Sequence, residues 1–293
     1  MTAKSRLCIG TANFGLEYGI ANKSGKLSDT TISAILKLAK ANNIVSFDTA
    51  EAYGDSSTRL SNGVNSEVKI TSKISILPTT TNKIETAFEE KINNLLKSFP
   101  NQKVDTLLLH NPDVLIGNPG RQITNLMLEA KKAGYMKKIG ISLYCPSTLE
   151  KIKDNFNFDV IQAPFNVFDQ RIFNSGWVTR LIKQDVRFQT RSTFLQGLLL
   201  IKPSDLPFSA SDKMKHMLNT WASFQKHSKY SAETICLKYA LNQSWIDEVI
   251  VGVDSVKQLS RLIEIEQMNA ESKIIGFNVS DPAIIDPRKW PIN

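Results

Sequence analysis

The stretch SDTTISAILKLAKANNIVSFD, Ser28 to Asp48, places a helical pattern directly before a strand-like one. Ile32, Ile35, Leu36 and Ala39 recur at the spacing of one helical face, and Ser28 or Asp29 stands where an N-cap is needed. The run IVSFD (44–48) is short, apolar and ends on an acid, as in a strand covered on both faces. The same alternation continues in both directions. Strands are expected at RLCIG (6–10), IVSFD (44–48), VKITSK (68–73), VDTLLLH (104–110), KKIGIS (137–142), FDVIQA (158–163), VRFQTRS (186–192) and EVIVG (248–252). Helical patterns fall between them at NKIETAFEEKINNLLKSF, GRQITNLMLEAKKAG, PSTLEKIKDN and SAETICLKYALNQ. Eight doubly covered strands alternating with helices predict an α/β fold, a closed (β/α)8 TIM barrel spanning residues 1–293 as one domain. A doubly wound sheet would want G-x-G-x-x-G after its first strand, and IGTANFG has the wrong glycine spacing.

The 293 residues are 42% hydrophobic and 22% charged, as expected for a globular chain with a sizeable core. The N-terminus MTAKSRLCIG lacks the apolar stretch of a signal peptide and no segment is long enough to span a membrane, so a cytoplasmic location without membrane partners is expected. Cys8, Cys145 and Cys236 make no C-x-x-C spacing; Cys8 and Cys236 lie in apolar-periodic stretches and read as small buried hydrophobes. His216 and His227 sit among lysines in a polar helical stretch, so no metal is expected. The formal charge of +8 comes from lysines scattered over helical faces, with no nucleic-acid-binding motif beside them. It favours an anionic cofactor or a phosphorylated or nucleotide-linked substrate instead. Oligomeric state is left open.

Three segments carry ionisable groups on the ends of apolar runs: FDTAEAYG (47–54), TSK (71–73) and LLLHNPD (107–113). Together they supply Asp48, Tyr53, Lys73 and His110, a set able to move a proton onto a carbonyl oxygen. An ammonium beside a phenol favours phenolate, so Lys73 is expected to pull the Tyr53 pKa down from about 10. Asp48 would hold Lys73 charged, and His110 would hydrogen-bond the substrate oxygen. Asp48, Lys73, His110, Ser142, Gln162, Arg191 and Gly252 all fall at expected strand C-termini, where barrels of this type carry their reactive groups.

The order of these residues resembles the catalytic tetrad of the aldo-keto reductases, which reduce aldehydes and ketones with NADPH or NADH. LCIGTANFG, KKIGISLY, FLQGLLL and VIVGVDSVKQL extend the resemblance over nearly the whole chain. It implies cofactor contacts from Gly10 and Thr11, from Ser142 and Gln162 to the nicotinamide amide, from Arg191 and Ser192 beside its ring, and from Gln196 and Gly197 along the pyrophosphate. Leu143 replaces the family's Asn, removing one amide contact, and Arg191 replaces its stacking aromatic; Arg191 either stacks on a planar ring or pairs with a loop carboxylate. Phosphate contacts are implied for Gly252, Asp254, Ser255 and Gln258, where a strand runs into a helix N-terminus. Lys257 and Arg261 stand in for the basic residues that select a 2′-phosphate, which makes NADPH the expected cofactor and NADH the alternative.

The expected activity is NAD(P)H-dependent reduction of an aldehyde or ketone. GTANFGLEYGIAN and RSTFLQGLLL resemble a branch associated with carbohydrate and surface-polysaccharide pathways, which suggests a sugar or sugar-nucleotide carbonyl. The alternative is a nicotinamide-binding barrel acting as a regulatory or scaffolding subunit. The long loops at 13–28, 110–120 and 201–212 are expected to serve as lids or binding loops. In the tail, Pro287 and Pro291 flank a Trp290 that looks exposed, and the segment either folds over the barrel mouth or straps the outer wall.

Overall fold

The computed structural model describes residues 5–77, 83–155, 158–270 and 277–291. Eight strands, β1 (Leu7–Gly10), β2 (Ser46–Asp48), β3 (Lys69–Ile74), β4 (Val104–Leu109), β5 (Met136–Ser142), β6 (Val160–Pro164), β7 (Arg187–Arg191) and β8 (Glu248–Gly252), pair in sequence order into a closed barrel. All neighbours are parallel, and β1 closes on β8 through Leu7 opposite Val249 and Gly10 opposite Gly252. The expected TIM barrel is the observed fold, with strand ends shifted by one or two residues.

Alternation within the strands decides what faces where. Leu7, Ile9, Phe47, Ile70, Leu107, Leu109, Ile139, Ile141, Ile161, Phe188, Val249 and Val251 belong to one buried apolar cluster shared with the surrounding helices. Residues between them, among them Asp48, Lys73, Gln162, Gln189 and Glu248, meet one another across the barrel. The period of two is what sends alternate side chains to opposite faces.

The helices are α1 (Ala12–Gly15), α2 (Asp29–Ala41), α3 (Ser56–Gly63), α4 (Ile84–Ser98), α5 (Asn118–Lys132), α6 (Ser147–Ile152), α7 (Arg171–Asn174), α8 (Trp177–Ile182), α9 (Asp212–His227), α10 (Ala232–Leu241), α11 (Val256–Gln267) and α12 (Pro282–Ile285). In α2 the buried face is Ile32, Ile35, Leu36 and Ala39, and Ser28 rather than Asp29 is the N-cap, accepting from the Thr31 N–H. Burying an Ile or Leu contributes about 1.5–3 kcal/mol, so this stripe outweighs the helix's weak propensity residues. Asn82, where the second helical pattern was expected to begin, lies outside the described residues; α4 is described from Ile84. Cys8 and Cys236 are fully buried.

A second apolar cluster sits on the loops that follow β6 and β7, where Val167, Phe168, Leu195, Leu198 and Leu199 pack with Met214, Leu218 and Trp221 of α9 and with the tail residues Ile284, Ile285 and Trp290. Trp290 corrects the expectation of exposure: it is only 6% exposed, stacks on Phe208 and donates from its indole N–H to the Ile284 carbonyl at 3.1 Å. The described tail thus lies against the C-terminal side of the barrel; residues 274–276 and 292–293 of the same stretch lie outside the described residues. Among the described residues, no helix is long and apolar enough to cross a membrane.

Candidate active site

Register brings three of the four expected groups together on neighbouring strands. Asp48 ends β2 opposite Thr71, Lys73 lies two residues further along β3, and the His110 N–H extends the β3–β4 pairing by bonding the Ile74 carbonyl at 2.8 Å. The loop after β2 stays attached to β3, with the Thr49 N–H on the Thr71 carbonyl and the Glu51 N–H on the Lys73 carbonyl, both at 2.9 Å. It then turns at Tyr53 and Gly54. Gly15 of α1 is required there because a Cβ on it would lie 1.8 Å from the Tyr53 carbonyl oxygen, and Gly54 has a left-handed φ of 59°.

The Lys73 ammonium uses all three of its protons. It donates to Asp48 Oδ1 at 2.5 Å, to the Thr49 carbonyl at 3.1 Å and, more weakly, to the Tyr53 hydroxyl at 3.5 Å. Both members of the Asp48–Lys73 pair are buried, their side chains 4% and 1% exposed, so each neutralises a charge that would be costly alone. The Tyr53 and His110 rings meet edge to face with centroids 6.1 Å apart, close enough for phenol and imidazole to share one substrate oxygen.

The electrostatics depart from the expectation in one respect. The Tyr53 pKa is raised above its ordinary value, first by burial and then by the Asp48 charge, while Arg191 opposes the rise. The expected downward pull of Lys73 does not prevail over burial and the Asp48 charge, and the ammonium is itself bonded to Asp48 at 2.5 Å. Tyr53 is therefore a firmly protonated donor. His110 is pushed down to about 4 by burial and by the nearby Lys73 and Arg191 charges, so it is a neutral imidazole at physiological pH.

Residues 6–273 match the model of the Aldo/keto reductase family. The chain belongs to the aldo/keto reductase family. The family's activity is carbonyl reduction with NAD(P)H. The fold is similar to the holo form of an aldo-keto reductase from Bacillus halodurans, at 16% identity and a TM-score of 0.74 over 96% of this chain and 95% of that one. It is also similar to a thermostable aldo-keto reductase in complex with the inhibitor epalrestat, at 20% identity and a TM-score of 0.65 over 91% of each chain. No curated protein matches the chain.

The residues expected on the cofactor side of this aldo/keto reductase lie as follows. Thr11 is fully buried, donates to the Asp48 carbonyl at 3.0 Å and meets the Ser56 hydroxyl at 2.7 Å, so it braces the loops around the tetrad. Gly10 leaves little space above it: a Cβ there would meet Ile250 at 3.1 Å. Ser142 and Gln162 are turned into the barrel, the hydroxyl donating to Gln162 Oε1 at 3.4 Å and the Gln162 amide donating to Asp48 Oδ2 at 2.7 Å. Leu143, where the family's Asn would stand, is buried and offers only its carbonyl, which accepts from Arg191 at 2.7 Å. The Arg191 guanidinium also lies 4.4 Å from the Tyr144 ring centroid.

The loop after β7 is held in a narrow backbone conformation, with left-handed φ at Ser192, Leu195, Gln196 and Gly197. Gln196 ties it to the loop after β1, accepting the Ile20 N–H at 3.0 Å and donating to the Tyr18 hydroxyl at 3.1 Å. A Cβ on Gly197 would lie 2.4 Å from that of Ala21. The two loops thus form one strap beside the β8 end.

Beyond β8, Gly252 is exposed, and a Cβ built on it would meet no atom within 4 Å. The N-terminus of α11 follows. Ser255 caps it by accepting from the Gln258 N–H at 3.2 Å, Gln258 accepts from the Asp254 N–H at 2.6 Å, and Asp254 accepts from the Asn13 amide. These side chains hold the turn, while backbone N–H groups of the first helical turn remain outside the intrahelical ladder. Lys257 is exposed beside them, and Arg261, one turn on, pairs with Glu264 at 3.1 Å. An open glycine, a capped helix start and a lysine fit the phosphates of a nicotinamide dinucleotide.

Four residues at this face were not singled out from the sequence. Asn13 ties the loop after β1 to α11, Tyr18 bonds the strap, and Tyr144 receives both Arg191 and, at 3.5 Å, the guanidinium of Arg288 from the tail. An aromatic two residues beyond a strand-end serine is the only hint that the sequence offers for Tyr144.

Proposed function

We propose that this protein reduces the carbonyl of a sugar or sugar-nucleotide, with NADPH as its preferred cofactor. The observation that carries the proposal is the Lys73 ammonium bonded at once to Asp48, to the Thr49 carbonyl and to the Tyr53 hydroxyl, with His110 against the same phenol. When bound, a reduced nicotinamide supplies the hydride to the carbonyl carbon. His110, neutral, hydrogen-bonds the carbonyl oxygen and orients it toward Tyr53. Tyr53 then gives its proton to the oxygen as negative charge develops there. An alkoxide is a stronger base than a phenolate, so the transfer runs toward the alcohol even from a phenol held above its ordinary range. Lys73 stands beside the phenolate that remains. A scaffolding role would not require this complete set.

The substrate class is supported by the mouth. Tyr18 offers an exposed aromatic face to a sugar, and Arg191, which lies against Tyr144 and bonds the Leu143 carbonyl and the Ser192 hydroxyl, offers charge-assisted donors to a phosphate, whereas Arg288 on the same ring is paired with Asp286. NADPH is supported by Lys257 and Arg261, which are one helical turn apart on α11. The test is a panel of matched carbonyls, neutral sugars against their phosphorylated or nucleotide-linked counterparts, followed by the absorbance of the reduced nicotinamide. The anionic member of each pair should show a kcat/KM at least about tenfold higher, the value of one charge-assisted contact. Equal or better turnover of simple apolar aldehydes would contradict the substrate class.

A further inference from the structure

Barrels of this architecture ordinarily fill their interior with layers of branched apolar side chains. Here a row of polar ones crosses it. Ser142 is the register partner of Gln162, Gln162 of Gln189, and Gln189 of Glu248, so the four occupy one continuous row over β5 to β8. The row starts at the C-terminal end of β5 and finishes on the first residue of β8, at the opposite end of the barrel.

Its hydrogen bonds have a fixed direction. Gln162 Nε2 donates to Asp48 Oδ2 at 2.7 Å and to Gln189 Oε1 at 3.2 Å. Gln189 Nε2 donates to Glu248 Oε2 at 2.9 Å and to Thr71 Oγ1 at 3.0 Å, and Ser46 donates to Glu248 Oε1 at 2.7 Å. Ionised carboxylates only accept, so each amide must turn its NH2 toward the carboxylate beside it, and Gln162 must then donate to the Gln189 oxygen. Every amide proton is engaged in an interior where an unmade bond is costly.

We infer that Gln162, Gln189 and Glu248 act as positioning residues that fix the rotation of the Asp48 carboxylate and, through it, the aim of the Lys73 ammonium at Tyr53. This rests on the reductase reading above. Lys73 has three protons and three acceptors, so turning Asp48 Oδ1 carries the third proton away from the phenol. Asp48 Oδ2 is held from the Gln162 side, and Gln162 is held by its neighbours in the row.

The decisive variant is Gln189→Leu, which cuts the row without touching Asp48, Lys73 or Tyr53. Misplacement of a proton-donating group lowers rate steeply, so kcat should fall about tenfold or more, and the solvent deuterium isotope effect on kcat should rise as proton transfer becomes limiting. The Kd for NADPH should stay close to wild type, while the melting temperature should fall because Gln162, Thr71 and Glu248 each lose a buried bond. A purely structural role would lower the melting temperature and leave the isotope effect unchanged. A glutamine row serving the nicotinamide would weaken NADPH instead. Either result overturns the inference. If Gln189→Leu does not fold, the far end gives the same test: Glu248→Gln keeps an acceptor for the Gln189 amide and should retain kcat, whereas Glu248→Leu should lose it. Equal kcat in the two overturns the inference. Tyr53→Phe run in parallel separates the two readings. If it abolishes turnover while cutting the row does nothing, only the positioning role fails; if it has no effect, both fail.

Discussion

Replacing Lys73 by Met keeps the volume and removes the charge from a site where solvent cannot compensate. The pair partners are 1% and 4% exposed, and the variant leaves the Asp48 carboxylate with the single neutral donor of Gln162 at 2.7 Å. Breaking a buried pair costs about 3–5 kcal/mol. Against a typical total of about 5–15 kcal/mol, that is a large share of the stability. The variant also removes the ammonium bonded to the Tyr53 hydroxyl, so kcat should fall by about 10²- to 10⁴-fold, the range of general-acid catalysis. Urea unfolding followed by the fluorescence of the four tryptophans measures the first effect, and steady-state turnover the second. The double variant Asp48→Asn, Lys73→Met has no charge left to strand and should regain most of the lost stability while staying inactive. A Lys73→Met protein within 1 kcal/mol of wild type, or a double variant no more stable than the single one, would refute the argument that these charges are buried against each other.

Two further outcomes follow from the electrostatics. His110 has its pKa pushed down to about 4 by burial, Lys73 and Arg191, against about 6.5 in an unfolded chain. Its contribution to stability is complete above pH ~6.5 and is lost as the pH falls to ~4, about 3 kcal/mol in all, so urea midpoints of His110→Asn should depend less on pH over that window than those of wild type. Replacing Lys257 and Arg261 together by Ala should weaken NADPH by about 1.5–3 kcal/mol for each charge-assisted bond lost and leave NADH nearly unchanged; titration by tryptophan quenching decides it, and equal effects on both cofactors would make the pair a solvated helix face.

The barrel and the tetrad were legible because both are written locally. Each strand alternates an outward apolar residue with an inward one, and Asp48, Lys73 and His110 close such runs. The position of Tyr53 followed from its distance along the same loop. What escaped were relations between distant strands. Ser142 and Gln162 read singly as ligand contacts, and only the register with Gln189 and Glu248 shows that they also belong to a row of bonded polar side chains. Trp290 looked exposed between two prolines because nothing nearby foretells Phe208, which covers it from 82 positions away (290 minus 208). The direction of the Tyr53 shift was misjudged for a related reason. Sequence supplies an adjacent ammonium but neither the depth of burial nor the 2.5 Å contact that Asp48 makes with it.

In the proposed reaction Tyr53 is the group that protonates the substrate oxygen. Tyr53→Phe removes one hydroxyl, bonded only weakly to Lys73 at 3.5 Å, and leaves the ring where it is. With a substrate whose chemical step limits turnover, kcat should fall by about 10²- to 10⁴-fold while the Kd for NADPH stays at its wild-type value. Retention of more than about a third of wild-type kcat, far above what loss of a general acid allows, would contradict this role.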